Sequence, residues 1–164
     1  MFDFDTLGNL KGNKIYSVSI VDFEKNFVSN RGNSSNRILI YNDFINLTTA
    51  VKSILKASFY ILVDGSFVSN KENPNDIDFV FVIPVNLLEN KLFLEQLEKH
   101  FYAFKNKKNR VLDFYIIPDI IENSNDEFKV KAERLLTYWT GFFGKTRTDE
   151  FGKQQEKGIL KIEF

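Results

Sequence analysis

Asp76 and Asp78 stand at alternate positions at the start of DIDFVFVI (76–83), a run that is otherwise wholly apolar. On a strand, side chains two apart share a face. Two strand rises separate their backbones by roughly 7 Å, so both carboxylates can converge on one cluster of cations. Acids in such a run are costly unless something positive neutralises them. Asp113 repeats the pattern inside VLDFYII (111–117). If that strand lies beside 76–83, three carboxylates gather at one spot, where they repel one another strongly without a divalent cation. Mg²⁺ or Mn²⁺ suits such a site, because both take carboxylate, water and phosphate oxygens.

Gly65-Ser66 is the fourth part. It follows FYILV (59–63) and Asp64. Glycine lets backbone amides approach a phosphate closely, and the serine hydroxyl can donate to a phosphate oxygen. The result is a phosphate cradle next to a metal site. Lys145, Arg147, Lys153 and Lys157, in the polar stretch 145–157, are the cations that could contact a triphosphate.

Composition narrows the chemistry further. The chain of 164 residues has no cysteine, which excludes disulfides, thiolate nucleophiles, Fe–S clusters and Cys-ligated zinc. Its one histidine, His100, argues against a His-rich metal site and a Ser-His-Asp triad. The 22 basic and 22 acidic residues cancel, so no global field draws the chain to nucleic acid or membrane. The opening MFDFDTLGNLKGNK lacks the charged-then-apolar layout of a signal peptide. Apolar runs such as 79–85 are far too short to span a bilayer. The expectation is a cytoplasmic protein without a membrane partner.

The elements that must position these groups follow from periodicity. KIYSVSI (14–20) alternates as an edge strand, and VDFEKNFV (21–28) suits a short helix. Phe44, Leu47, Thr48, Val51, Ile54 and Leu55 set a helical face in a helix that starts near Ser34 or Ser35 and ends near Ala57. FYILV is short and continuously apolar, as in a strand buried on both faces. Residues 67–75 form a loop in which Asn73-Pro74-Asn75 turns the chain. DIDFVFVI is a strand stopped by Pro84. Asn86 with Glu89 reads as a helix cap, followed by a face of Leu94, Leu97, Phe101 and Phe104 and a basic, solvated end KNKKNR (105–110). VLDFYII is a strand closed by Pro118. Ser124 with Glu127 reads as a second capping box. The following helix buries Phe128, Ala132, Leu135, Leu136, Trp139, Phe142 and Phe143, and Gly144 ends it. GILKIEF (158–164) is a last strand. The order β, α, α, β, β, α, β, α, β predicts one mixed α/β (α+β) domain over 1–164, with its core in 34–118 and a C-terminal helix and strand in 124–164. The short 67–75 connection pairs 59–63 with 76–83 antiparallel, and the intervening helix permits a parallel crossover from 76–83 to 111–117.

The run LVDGSFVSNKENPNDIDFVFV resembles the signature of the polymerase-β-like nucleotidyltransferase superfamily: an apolar strand, Gly-Ser, a gap of roughly ten residues, then Asp-x-Asp on a strand. A third carboxylate on a later strand, here Asp113, completes the pattern. The resemblance implies a nucleotidyltransferase-like mixed β-sheet flanked by helices. It also implies that Asp76 and Asp78 bind both metals, that Asp113 holds the metal at the attacking hydroxyl, and that Gly65 and Ser66 hold the β and γ phosphates. The C-terminal YWTGFFGKTR and KGI resemble the ends of a small bacterial group of this minimal nucleotidyltransferase type. Asp64 departs from the pattern, since the superfamily has an apolar or aromatic residue there. It reads as a turn acid.

The remaining candidates read as structural. His100 belongs to a charged helix surface, KNKKNR to a solvated helix end that could touch RNA, and Trp139 with Tyr138 to the core. The function implied is transfer of a nucleoside monophosphate from an NTP such as ATP to a hydroxyl on a protein, an RNA end or a small molecule, with release of pyrophosphate. The alternative is an antitoxin-like or regulatory module that binds the partner protein of a bacterial defence or toxin–antitoxin pair.

Overall fold

A computed structural model describes residues 2–32, 34–105, 111–120 and 126–164. Among the described residues, five strands and five α-helices keep the expected order, with a short helix added at Val85–Leu88: β1 (Ile15–Val18), α1 (Ile20–Glu24), α2 (Ser35–Leu55), β2 (Tyr60–Asp64), β3 (Ile77–Pro84), α3 (Val85–Leu88), α4 (Lys91–Lys105), β4 (Leu112–Asp119), α5 (Asp126–Phe143) and β5 (Ile159–Glu163). They build a mixed α/β architecture around one sheet of order β1-β5-β2-β3-β4.

The sheet has a centre that runs up and down and a parallel pair at each edge. β2 pairs antiparallel with both β3 and β5, whereas β3 pairs parallel with β4 and β1 parallel with β5. The β3–β4 pair is parallel because α4 carries the chain back across the sheet before β4 begins.

Alternation sorts the strand residues to two faces. On one face, Ile61, Val63, Phe79, Phe81, Phe114, Leu160 and Ile162 pack with Phe44, Leu47 and Val51 of α2 and with Phe93, Leu97 and Phe101 of α4. Rings dominate this core: Phe44–Phe79, Phe79–Phe114 and Phe101–Phe114 have centroids 5.1, 5.5 and 4.9 Å apart. The other face carries Leu62, Val80, Val82, Ile117 and Ile159 and is covered by Phe143, Leu135, Leu136 and Trp139. Asp78, two residues before Val80, belongs to this second face, on the α5 side.

Local chemistry explains the helix ends. The Ser34 hydroxyl accepts from the Arg37 amide at 3.4 Å to open α2. Lys56, left-handed at φ 50°, closes it. The Ser19 hydroxyl likewise caps α1, which runs on into a π-helical turn at Lys25–Ser29. The expected Asn86–Glu89 capping box is not formed, because Asn86 lies inside the short α3. Asn90 opens α4 instead, with the Phe93 amide donating to Asn90 Oδ1 at 3.3 Å. Phe93 thereby joins the buried face that the sequence assigned to Leu94. Ser124 of the second capping box and residues 106–110 of KNKKNR lie outside the described residues. Gly144 follows α5 as expected, its amide donating to Thr140 O at 2.9 Å. Phe128 and Phe142, expected in the core, are 41% and 60% exposed. Among the described residues no helix is long and apolar enough to cross a membrane.

Candidate functional site

The acids singled out by the sequence meet through strand register. Asp64 ends β2 and pairs with Asp78 on β3. Asp78 in turn pairs with Asp113 on β4. Residues in register on adjacent strands project from the same face, so the three form a row across the α5 side of the sheet. Asp76 precedes β3, two residues before Asp78, and Gly65-Ser66 leaves β2 at the same end.

Gly65 is required where it stands. Its φ is +83°, a conformation L side chains rarely adopt, and a Cβ there would lie 2.1 Å from Asp78 Oδ2. Ser66–Val68 then forms a single 3₁₀ turn, closed by the Ser69 hydroxyl donating to Ser66 O at 2.7 Å.

Arg37 secures this loop from below, a role the sequence reading missed. Fully buried, its guanidinium donates to Phe27 O and Phe67 O at 2.7 Å each, to Ser69 O and Glu72 O at 3.2 Å each, and to Lys71 O. All five guanidinium N–H groups are thus matched to backbone carbonyls. Burial, and secondarily the charge of Arg31, lowers the Arg37 pKa to about 10. The missed signal was its place on the helical period: Arg37, Ile40, Phe44, Leu47 and Val51 share one buried stripe. Pro74 is buried and Asn73 Oδ1 accepts from the Ser34 hydroxyl at 2.9 Å, so Asn73-Pro74-Asn75 turns the chain as expected and is also tied to α2.

Charge is unevenly matched across the row. Asp64 is no turn acid. It is 7% exposed at a strand end, where the Lys157 ammonium straddles its carboxylate at 2.7 and 2.8 Å. Burial pushes the Asp64 carboxyl up, and Lys157 pulls against that shift. Asp78 is pushed up to about 6, first by burial and then by the charges of Asp76, Asp64 and Asp113, with Lys157 opposing. Among the described residues no three carboxylate or imidazole side chains are grouped so that they could hold a metal ion together. Register brings the acids to one row without closing them into a metal cluster.

A cleft of about 1110 Å³ opens over the Asp64–Asp78 end of the row. Asp64, Asp76, Asp78, Gly65 and Ser66 form its floor, and Tyr138 and Phe142 of α5 stand on one wall. The lining continues along an arm that folds back on itself after α5. Lys145 and Glu156 pair through their backbones in an antiparallel bridge, and the Thr146 amide donates to Gln155 O at 2.9 Å. At the tip, Asp149 Oδ1 accepts from the amides of Phe151 and Lys153 at 2.9 and 2.8 Å. Lys145, Arg147, Lys153 and Lys157 all border the cleft. The first three are exposed, whereas Lys157 is committed to Asp64, which places it in the floor of the site. Asp113 is half-buried beside Asp78 and outside the cleft wall. His100 is exposed on α4, as expected. Tyr138 is 60% exposed, a correction to its core assignment. Trp139 packs on Tyr115, with ring centroids 4.5 Å apart.

The chain belongs to a family of unknown function, DUF6932, whose model matches residues 2–163. No curated protein and no solved structure matches it.

Proposed function

We propose that this DUF6932 chain is a metal-dependent nucleotidyltransferase, moving a nucleoside monophosphate from an NTP to a hydroxyl acceptor with release of pyrophosphate. The observation that carries the reading is the cross-strand row Asp64–Asp78–Asp113 with the Gly65-Ser66 turn packed against Asp78. Asp78 is pushed up first by burial and then by the charges of Asp76, Asp64 and Asp113. A divalent cation beside it would favour its ionised form. Asp76, Asp78 and Asp113 do not form a closed metal cluster in this structure and would have to draw together around Mg²⁺ or Mn²⁺ to hold it; when bound, the ion would activate the acceptor hydroxyl and stabilise the leaving pyrophosphate.

The chain's own groups supply the rest. The Gly65 backbone brings the loop against Asp78, and the Ser66 hydroxyl can donate to a phosphate oxygen. Lys145, Arg147 and Lys153 add positive charge along the arm that lines the cleft. Asp64 is kept from repelling the phosphates by Lys157. Arg37 holds the 67–72 backbone and so fixes the turn that Ser66 opens.

Incubation with each labelled NTP, Mg²⁺ or Mn²⁺, and host lysate tests this reading. Label transfer to a protein, RNA or small molecule in wild type, lost in Asp78→Ala, supports it. Metal-dependent NTP binding without transfer to any acceptor would shift the function to a nucleotide sensor or a partner-binding module of a toxin–antitoxin pair.

A further inference from the structure

Two aromatic rings on α5 have no packing role that matches their size. Tyr138 and Phe142 are each 60% exposed. One helical turn apart, they share a face, and their rings lie nearly parallel, at 7° with centroids 6.1 Å apart. Their neighbours behave differently: Trp139 and Phe143 turn toward the sheet and cover Leu62, Val80 and Val82. An isolated exposed aromatic is ordinary. This pair lines the same cleft as the Gly65-Ser66 turn and lies directly before the cationic arm in the chain.

Gly141 sits beside the pair on the same wall. A Cβ there would meet nothing within 4 Å, so packing does not demand a glycine. Glycine inside a helix costs roughly 0.5–1 kcal/mol relative to alanine, and here it leaves open space next to the rings. The α5 wall thus presents two ring side chains and an uncovered stretch of helix, in a cleft that Lys145 and Arg147 also line. That combination suits one kind of molecule: a flat aromatic ring system joined to a polyanion.

We propose that Tyr138 and Phe142 form a stacking platform for the base of a nucleotide whose phosphates lie toward Lys145, Arg147 and the Gly65-Ser66 turn. The proposal deepens the nucleotidyltransferase reading and rests on its nucleotide site. The base is gripped by stacking, which accepts any base, and the phosphates by charge.

Calorimetric titration of the whole chain with ATP and with inorganic tripolyphosphate, both with Mg²⁺, separates the two contributions. Trp139 reports locally, because it is the single tryptophan and lies edge-on to Tyr138 and Phe142 at 5.5 and 5.8 Å. ATP is expected to bind about tenfold more tightly than tripolyphosphate, the gain of roughly one stacked base, and to change Trp139 emission where tripolyphosphate does not. Tyr138→Ala/Phe142→Ala should reduce ATP to the tripolyphosphate affinity and leave tripolyphosphate unchanged. Tyr138→Leu/Phe142→Leu, which keeps apolar cover on α5, should lose the same advantage. Lys145→Ala/Arg147→Ala should weaken both ligands alike. Equal affinity for the two ligands in wild type overturns the platform and leaves the phosphate site standing, as does an ATP advantage that survives either aromatic double variant. Binding of neither ligand overturns the platform together with the reading beneath it.

Discussion

A Cβ on residue 65 would stand 2.1 Å from Asp78 Oδ2, so the glycine of the turn and the central acid of the row are fitted to each other. Gly65 also lies at φ +83°, ψ −173°, a region that is essentially glycine-only and costs other residues about 1–3 kcal/mol. Gly65→Ala therefore carries two penalties. Asp78→Ala in the same chain removes the steric one and leaves the backbone one. Urea melts of wild type, both single variants and the double variant should give a favourable coupling of about 1 kcal/mol or more. Strict additivity would mean that the Asp78 side chain swings clear without cost.

Asp78 links the site to pH. Its carboxyl is raised from 3.8 to about 6 in the folded chain, so the unfolded state releases this proton at lower pH than the folded state. The contribution favours folding below the ordinary carboxylate range and is lost as pH rises through about 6. Asp78→Asn should match wild type near pH 4 and exceed it above pH 7, by about 1 kcal/mol after solvent screening of a half-buried group. Millimolar Mg²⁺ or Mn²⁺, added against NaCl of equal ionic strength, should raise the wild-type Tm and leave Asp78→Asn unmoved. A variant that gains at pH 4 as much as at pH 8 would disconnect the effect from charge.

The Asp64–Lys157 pair is predicted to be structural. With about one tenth of each side chain exposed, removing the cation leaves a buried carboxylate facing Asp78. Lys157→Met should cost about 3 kcal/mol at pH 7, and Asp64→Leu/Lys157→Met should recover most of it, because an apolar pair carries no desolvation cost. The Lys157→Met penalty should shrink as pH falls, since burial already pushes Asp64 toward its neutral form and a protonated Asp64 needs no partner. Thermal melts from pH 4 to 8 read both effects. A penalty that is flat with pH would assign it to lost packing of the lysine stem.

The legible parts of this molecule were those written locally. Strand alternation from Asp78 puts Ile77, Phe79 and Phe81 on the opposite face, where they join the core beneath α2 and α4, and the short 67–75 connection gave the antiparallel β2–β3 pair. The row extends to Asp113 because the α4 crossover makes β3 and β4 parallel neighbours. What was not legible depends on distant chain. The final strand was visible as GILKIEF, but its insertion between β1 and β2 depends on two partners far away in sequence. Lys157 reaches Asp64 across 93 positions, so Asp64 read as a turn acid and Lys157 as a phosphate ligand. Phe142 was placed in the core by its spacing from Leu135 and Leu136. The sheet side of that turn is filled by Trp139 and Phe143, and Phe142 is left in the cleft.

The acids differ in position. Asp76 and Asp78 are in the cleft floor beside Gly65-Ser66, whereas Asp113 adjoins Asp78 from outside the cleft wall. If the triphosphate occupies the cleft, Asp78 serves metal and phosphate, and Asp113 serves the acceptor on the far side. Asp78→Ala should then lose both metal-dependent NTP binding and transfer. Asp113→Ala should keep most NTP binding and lose transfer, because the attacking hydroxyl is no longer positioned. Ser66→Ala should weaken NTP binding by about 1–3 kcal/mol, the worth of one hydrogen bond to a charged group, and lower transfer only through that loss. Titration with a non-hydrolysable NTP beside a transfer assay at saturating NTP distinguishes the three. Full transfer by Asp113→Ala would remove Asp113 from the acceptor side. Loss of NTP binding in Asp113→Ala to the extent seen in Asp78→Ala would place both acids on the same metal and phosphate, and the acceptor would have to approach along the arm that carries Arg147 and Lys153.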